Sequence, residues 1–343
     1  MNRKFFKKIF RALIALTILV VGTLIVAYNS FYGSAIESSS SIFIDKETTY
    51  DEVTELCRQS IPSSLKQQAF NFYASHLKLS KRMKTGHYTF KEDMSVVSLV
   101  RMLVLGEQTP IKLVIGEART LPQLAGKLSK QIMADSVSIL TVMYDKAERE
   151  AVGYKRDSLI AMFIPNSYQV YWNITPQQLL ARIKKESDAF WSSREQGLAN
   201  CGLSKYQAMT LASIVYEETK NKGEMPKIAG VYINRLRKRI PLQACPTVKY
   251  AMGDFSLTRI LHKHLKYDSP FNTYRNAGLP PAPICIPSIS AIDAVLNYQK
   301  SDYLYFCARP EFDGTHNFAK TLKEHNANSK RYNEALKRLQ KKK

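Results

Sequence analysis

Between Ser204 and Lys220 the residue types are spaced as in an amphipathic helix, opened by a Ser204–Gln207 capping box. Leu211, Ile214 and Val215 share one face, and Glu218 falls on that same face seven and four residues further on. A carboxylate is thus aimed where an apolar side chain is expected. Burial of this kind favours the protonated acid, which is what a general acid working near neutral pH requires. The position also suits a structural carboxylate paired with a base such as Arg235. Glu217 points about 100° away, beside Ser213 and Lys220, and reads as a solvated charge.

Other stretches could contribute binding groups. Arg235, Arg237, Lys238 and Arg239 would bind anions or solvate a helix end. The segment SPFNTYRNAGLPPAP (269–283) combines hydrogen-bonding side chains with an aromatic in a stiff backbone, which suits a carbohydrate or a rigid connection. Tyr168, Tyr171 and Trp172 would stack on sugar rings or fill a core. The six histidines form no compact metal-ligand pattern, and His316 and His325 with Asp313 or Glu324 make only a loose one. No metal or other cofactor is expected. The chain has no G-x-S-x-G elbow, phosphate loop or dinucleotide fingerprint. Its five cysteines lack the spacing of a disulfide framework or a zinc cluster.

The elements that must position these residues follow from periodicity. Strands are expected at 41–45, 86–90 and 111–115, with helices near 49–58, 64–77 and 95–105. The order β-α-α-β-α over the first of these suggests a small module resembling the glycan-binding LysM type in element order. Further helices are expected at 121–131, 136–147, 176–193 and 204–220, then a proline-rich mixture of strand and loop and a basic C-terminal helix. The expected fold class is α+β: a single N-terminal transmembrane helix, a LysM-like α+β module and a mixed α/β catalytic domain. The expected boundaries are 1–36 for the basic tip and anchor, 37–108 for the module and 109–343 for the catalytic domain with its basic tail.

The chain of 343 residues carries a formal charge of +21, which points to a polyanionic partner. Five bases precede an uncharged stretch at 12–34 that is long enough to cross a bilayer. Their position favours a cytoplasmic N-terminus and an extracytoplasmic remainder. The run is longer than the core of a cleaved signal peptide. A tail from Lys330 to Lys343 contributes a net +6, leaving +10 between the two ends. Placement outside the cytoplasm argues against nucleic acid and for an anionic membrane surface or wall polymer.

Seven blocks occur in order: ASIVYEET (212–219), VYINRL (231–236), LQACPTV (242–248), SPFNTY (269–274), GLPPAPI (278–284), YLYFCA (303–308) and HNFAKTLKEHN (316–326). Together they resemble the membrane-anchored endolytic murein transglycosylases, the YceG-like family. The resemblance implies a cell-membrane, single-pass lytic transglycosylase. It would cut the bond between N-acetylmuramic acid and N-acetylglucosamine in nascent glycan strands, leave a 1,6-anhydro end and so terminate elongation. It implies that Glu218 is the catalytic acid. The candidates for positioning substrate are Gln243, Thr247, Asn272, Thr273 and Tyr274, with Glu224 as a secondary candidate. The expected partners are peptidoglycan strands, the cytoplasmic membrane and peptidoglycan synthases, and not nucleic acid. Two places depart from the family pattern. Cys245 stands where Asp is usual, and Ile286 and Ser288 flank Pro287 in place of Asn and Gly. A rival reading is a catalytically weak wall-binding scaffold, which a cleft disabled by Cys245 would favour.

Overall fold

The computed structural model describes residues 3–257 and 259–341; Lys342 and Lys343 of the basic tail lie outside the described residues. The chain divides into two compact units, Met1–Lys112 with Gln169–Ile174, and Leu113–Tyr168 with Thr175–Lys343.

The first unit opens with α1 (Arg3–Tyr32). Within Lys4–Tyr32 a stretch of 18 residues reaches a mean hydropathy of 2.5 and is unburied by protein, so the helix is long and apolar enough to cross a membrane. Then follow β1 (Ser40–Ile44), α2 (Tyr50–Ser60), α3 (Ser64–His76), α4 (Leu79–Arg82), β2 (Gly86–Phe90) and α5 (Val96–Leu105). Strands β1 and β2 pair antiparallel, with Ile42 opposite Tyr88. Their inward residues Ile42, Ile44, Tyr88 and Phe90 pack on Val53, Phe70, Leu99 and Leu103. Thr49 caps α2, in a reciprocal box with Glu52. Trp172 meets Phe43 edge-on, and Phe43 stacks on His87, while Tyr171 is exposed.

Two strands, β3 (Ile111–Ile115) and β4 (Asn166–Val170), contain points where the chain passes from one unit to the other. Between them lie α6 (Leu121–Leu128), α7 (Ser136–Tyr144) and α8 (Lys146–Ala151). The single helix expected at 136–147 is broken at Asp145, which ends α7 and caps α8 with its side chain. The second unit continues through α9 (Pro176–Ser192), α10 (Glu195–Cys201), α11 (Lys205–Glu218), α12 (Met225–Arg237), α13 (Cys245–Met252), α14 (His262–Leu265) and α15 (Ile289–Leu296). It closes with the antiparallel pair β5 (Tyr305–Ala308) and β6 (His316–Ala319), and with α16 (Leu322–Lys341).

The core of this unit forms around α11. Every residue from Ala208 to Val215 is buried, against α12 and α15. Ser213, expected on the solvent face, is fully buried; its hydroxyl donates to Thr210 O and accepts from the backbone N–H of Ile284. Glu217 is also less free than its position suggested: Arg119 pairs with it at 2.9 Å. The helix surrounded on nearly all sides has room for polar groups only where each finds a partner.

Candidate active site

Helix α11 ends at Glu218, where Thr219 turns to extended backbone. Asn221 then organises the turn, its side chain accepting the N–H of Gly223, and Pro226 stands in the first turn of α12. The two helices form a hairpin that sets Tyr232 against Glu218. The Tyr232 hydroxyl donates to Glu218 Oε1 at 2.8 Å.

Glu218 retains some surface exposure, but protein closely surrounds its carboxyl. Burial raises its pKa, and the Tyr232 hydrogen bond, His316 and Lys249 oppose that rise. Tyr232 is itself pushed upward by burial and by the adjacent carboxylate, so it acts as a donor only. Arg235, the base expected to pair with Glu218, turns instead to Leu242 O and Gln243 Oε1.

Glu218 lies in a cavity of about 450 Å³, walled by α12, the 242–245 segment, Tyr274, β5, His316 and the start of α16. Among the described residues it is the single carboxylate in that lining. Phe306 packs edge-on against both Tyr232 and His316. His316 is gripped twice by Glu224, whose Oε1 accepts its backbone N–H and whose Oε2 meets Nδ1, both at 2.9 Å. A carboxylate only accepts, so Nδ1 carries the proton and Nε2 is the imidazole's second edge. Glu224, the secondary candidate, is thus the holder of a cavity residue rather than a member of the lining.

The predicted binding residues divide into two groups. Gln243 and Tyr274 line the cavity. Thr247, Asn272 and Thr273 are buried behind it, and their polar atoms serve the wall. Thr247 Oγ1 donates to Ala244 O and meets Thr273 Oγ1 at 2.9 Å, while Thr273 Oγ1 accepts the N–H of Ala244. Asn272 donates to Leu265 O and Tyr267 O. The 269–274 segment is therefore a rigid frame that presents one side chain, Tyr274. Tyr232, His316 and Tyr305, which the sequence reading did not select for substrate binding, also line the cavity. A signal was available for Tyr232, a hydroxyl one turn from Ile228 and from Arg235 on one face of the helix that carries VYINRL.

Cys245 also lines the cavity, with Sγ 3.2 Å from the Tyr274 hydroxyl. Burial raises the pKa of its thiol, and the contact with Tyr274 partly offsets this. Cys57, Cys201 and Cys285 are buried, and Cys307 is half-buried and outside the cavity lining, whereas Cys245 is exposed within it. Iodoacetamide is therefore expected to inactivate the protein slowly, in step with modification of Cys245, and Cys245→Ser is expected to resist. Peptide mapping against residual activity checks this.

A single desolvated acid, held by a tyrosine in a cleft of mixed polar and apolar lining, is an arrangement that can do acid–base chemistry on one carboxylate. The fold that carries it follows an apolar helix able to span a membrane. The chain belongs to the YceG-like family, whose sequence model matches residues 42–331. It is 28% identical to the endolytic murein transglycosylase of Bacillus subtilis strain 168, over 78% of this chain and 77% of that protein. It is also 28% identical to the endolytic murein transglycosylase of Streptococcus pneumoniae D39, over 76% of this chain and 52% of that protein. A crystal structure of a yceG-like protein from Listeria monocytogenes superposes with a TM-score of 0.54 at 27% identity, covering 85% of this chain and 99% of that one.

Proposed function

We propose that the protein is an endolytic peptidoglycan transglycosylase in which Glu218 is both acid and base. The observation that carries this reading is the lone, desolvated Glu218 in the cleft, paired with a tyrosine donor. Ordinary glycosidases need two carboxylates about 5–9.5 Å apart. An enzyme that uses a hydroxyl of its own substrate as nucleophile needs one.

In this reading, protonated Glu218 donates to the oxygen joining the muramyl and glucosaminyl sugars. The C1–O bond breaks, and the electron deficit at the muramyl anomeric carbon is relieved by its own acetamido oxygen. Glu218, now a carboxylate held by Tyr232, then takes the proton of the muramyl 6-hydroxyl as that oxygen bonds to C1. Water is neither consumed nor released, and the acid is regenerated. The buried Thr247, Asn272 and Thr273 keep the wall in place, and Gln243 and Tyr274 touch the strand.

Several further features accompany the proposal. The basic tip before α1 favours a cytoplasmic N-terminus, with the catalytic domain outside the cytoplasm. The β1–α5 segment serves as a LysM-like glycan-binding module, its exposed Phe43 beside His87 and Trp172 offering an aromatic face. Cutting strands near the membrane would terminate their growth beside the synthases that extend them.

The test is digestion of purified glycan strands with mass spectrometry of the ends. Anhydromuramyl ends are expected; reducing ends would identify a hydrolase, and intact strands would refute the enzyme. Tyr232→Phe supplies a second check. Losing the donor that favours the carboxylate raises the pKa of Glu218 further. The protonated acid then persists to higher pH, so the alkaline limb of the kcat profile should move upward. The same loss leaves the carboxylate of the second step without its hydrogen bond, lowering kcat at the optimum by about tenfold.

A further inference from the structure

The cavity that holds Glu218 is also lined by a buried cation with which, among the described residues, no carboxylate pairs. Arg235 sits one helical turn beyond Tyr232 on α12 and is 7% exposed. Its Nη1 donates to Leu242 O at 2.7 Å and its Nη2 to Gln243 Oε1 at 3.1 Å. Its Nε–H is buried without a partner, and among the described residues no carboxylate pairs with the guanidinium. Tyr305 lies below it, ring centroid 5.2 Å from Cζ. His325 stacks on that tyrosine at 5.3 Å and has its own Nδ1 buried and unpartnered. Burial and the neighbouring arginine both lower the pKa of His325.

Such an arrangement is costly, because the guanidinium is desolvated without a charged partner from the described residues. A buried charge is retained against its desolvation when a partner of opposite sign completes it. The part of Arg235 that is incompletely used is the edge formed by Nε and Nη2, which matches a carboxylate with two parallel hydrogen bonds. One neutral group stands on that edge, the amide oxygen of Gln243. This residue is solvent-exposed and held at φ +54°, a left-handed conformation uncommon outside glycine and typical of functional sites. Its backbone N–H is tied to Thr273 O at 3.1 Å, so the side chain can turn aside while the main chain stays.

We propose that Arg235, with Gln243 as its movable stand-in, forms a carboxylate subsite that takes an acidic group of the glycan strand and so selects which muramyl residue is cut. The proposal rests on the transglycosylase reading for the identity of the strand. Two sources share the chemistry: the lactyl carboxylate of a muramyl residue without peptide, and a carboxylate of an attached stem peptide. On peptide-bearing strands the lactyl group is an amide, so the sources can be separated.

The test uses the full chain in detergent with Glu218→Gln, so that strands bind without being cut. Four oligosaccharides are titrated by calorimetry: peptide-free strands with free or methylamidated lactyl groups, and peptide-bearing strands with free or amidated carboxylates. Within one pair the free acid should bind about tenfold tighter or more, and that pair names the source. Adding Arg235→Met should erase the preference. Because the preference is read with Arg235 intact, a poorly folding Arg235 variant does not spoil the measurement. Equal affinity within both pairs, or no binding to any of the four, would overturn the subsite, as would a preference that survives Arg235→Met. A wild-type chain that binds selectively but cuts nothing would overturn the transglycosylase reading alone.

Discussion

Glu218→Gln is expected to remove strand cleavage, lowering kcat on the order of 10³-fold or more while leaving strand affinity within a few-fold. The size of the effect follows from the lining of the cleft. A general acid typically contributes 10²–10⁴-fold. Here the same group would also remove the hydroxyl proton in the second step, and among the described residues no other carboxylate lines the cavity to substitute for it. Glutamine keeps the shape and can still accept from Tyr232, so binding and fold should persist. A fall in kcat with KM nearly unchanged is the signature of an interaction made only in the transition state. A parallel rise in KM would mean that Glu218 chiefly shapes the site.

The same substitution has a consequence for stability. The folded-state pKa of Glu218 is raised by burial above its unfolded value. Its contribution is therefore full below the unfolded pKa and is lost as pH rises through the folded pKa. Glu218→Gln removes that loss. Its melting temperature relative to wild type should climb as pH is raised from about 4 to about 9. A difference independent of pH would mean that the carboxyl is not desolvated.

How much of this was legible in the sequence varies from residue to residue, for physical reasons. Glu218 was readable because helical periodicity is local: Leu211, Ile214 and Val215 define a face, and the acid interrupts it. The capping box at Ser204 was readable for the same reason, and it formed. The break at Asp145 was missed because an aspartate inside an apolar pattern can equally be solvated mid-helix or can cap a second helix. Chemistry that depends on long-range contacts was harder to read. Thr247, Asn272 and Thr273 carry the right groups for a sugar, but 26 residues separate the two threonines whose hydroxyls meet. Glu224 and His316 are 92 residues apart. Neither pairing leaves a periodic trace. Ser213 and Glu217 looked solvent-facing because α11 was expected to bury one face, whereas packing by α12 and α15 buries nearly all of it. The family resemblance identified the same acid but gave no sign that the threonines lie behind the wall.

That wall depends on a glycine, and Gly230→Ala is expected to destabilise the catalytic unit by about 3 kcal/mol. In an exposed helix interior the exchange would be favourable by about 1 kcal/mol. On α12, however, a Cβ at residue 230 would be driven into the backbone carbonyl of Gln299. A flexible side chain could move away, but this backbone is fixed on both sides. Gln299 N–H donates to Pro226 O at 2.9 Å, and Asn234 Nδ2 donates to Ser301 O and Tyr303 O. The segment continues directly into β5, whose Phe306 packs on Tyr232. Displacing it would shift the cavity wall and loosen the hydroxyl that holds Glu218, so kcat should fall along with stability. Gly126 in α6 provides the control, because a Cβ there meets nothing within 4 Å. Gly126→Ala should stabilise by a fraction of 1 kcal/mol, or about 1 at most. Urea unfolding of the two variants should therefore move the midpoint in opposite directions. If Gly230→Ala instead matches Gly126→Ala in stability and retains wild-type kcat, the contact between α12 and residue 299 does not hold the wall of the site.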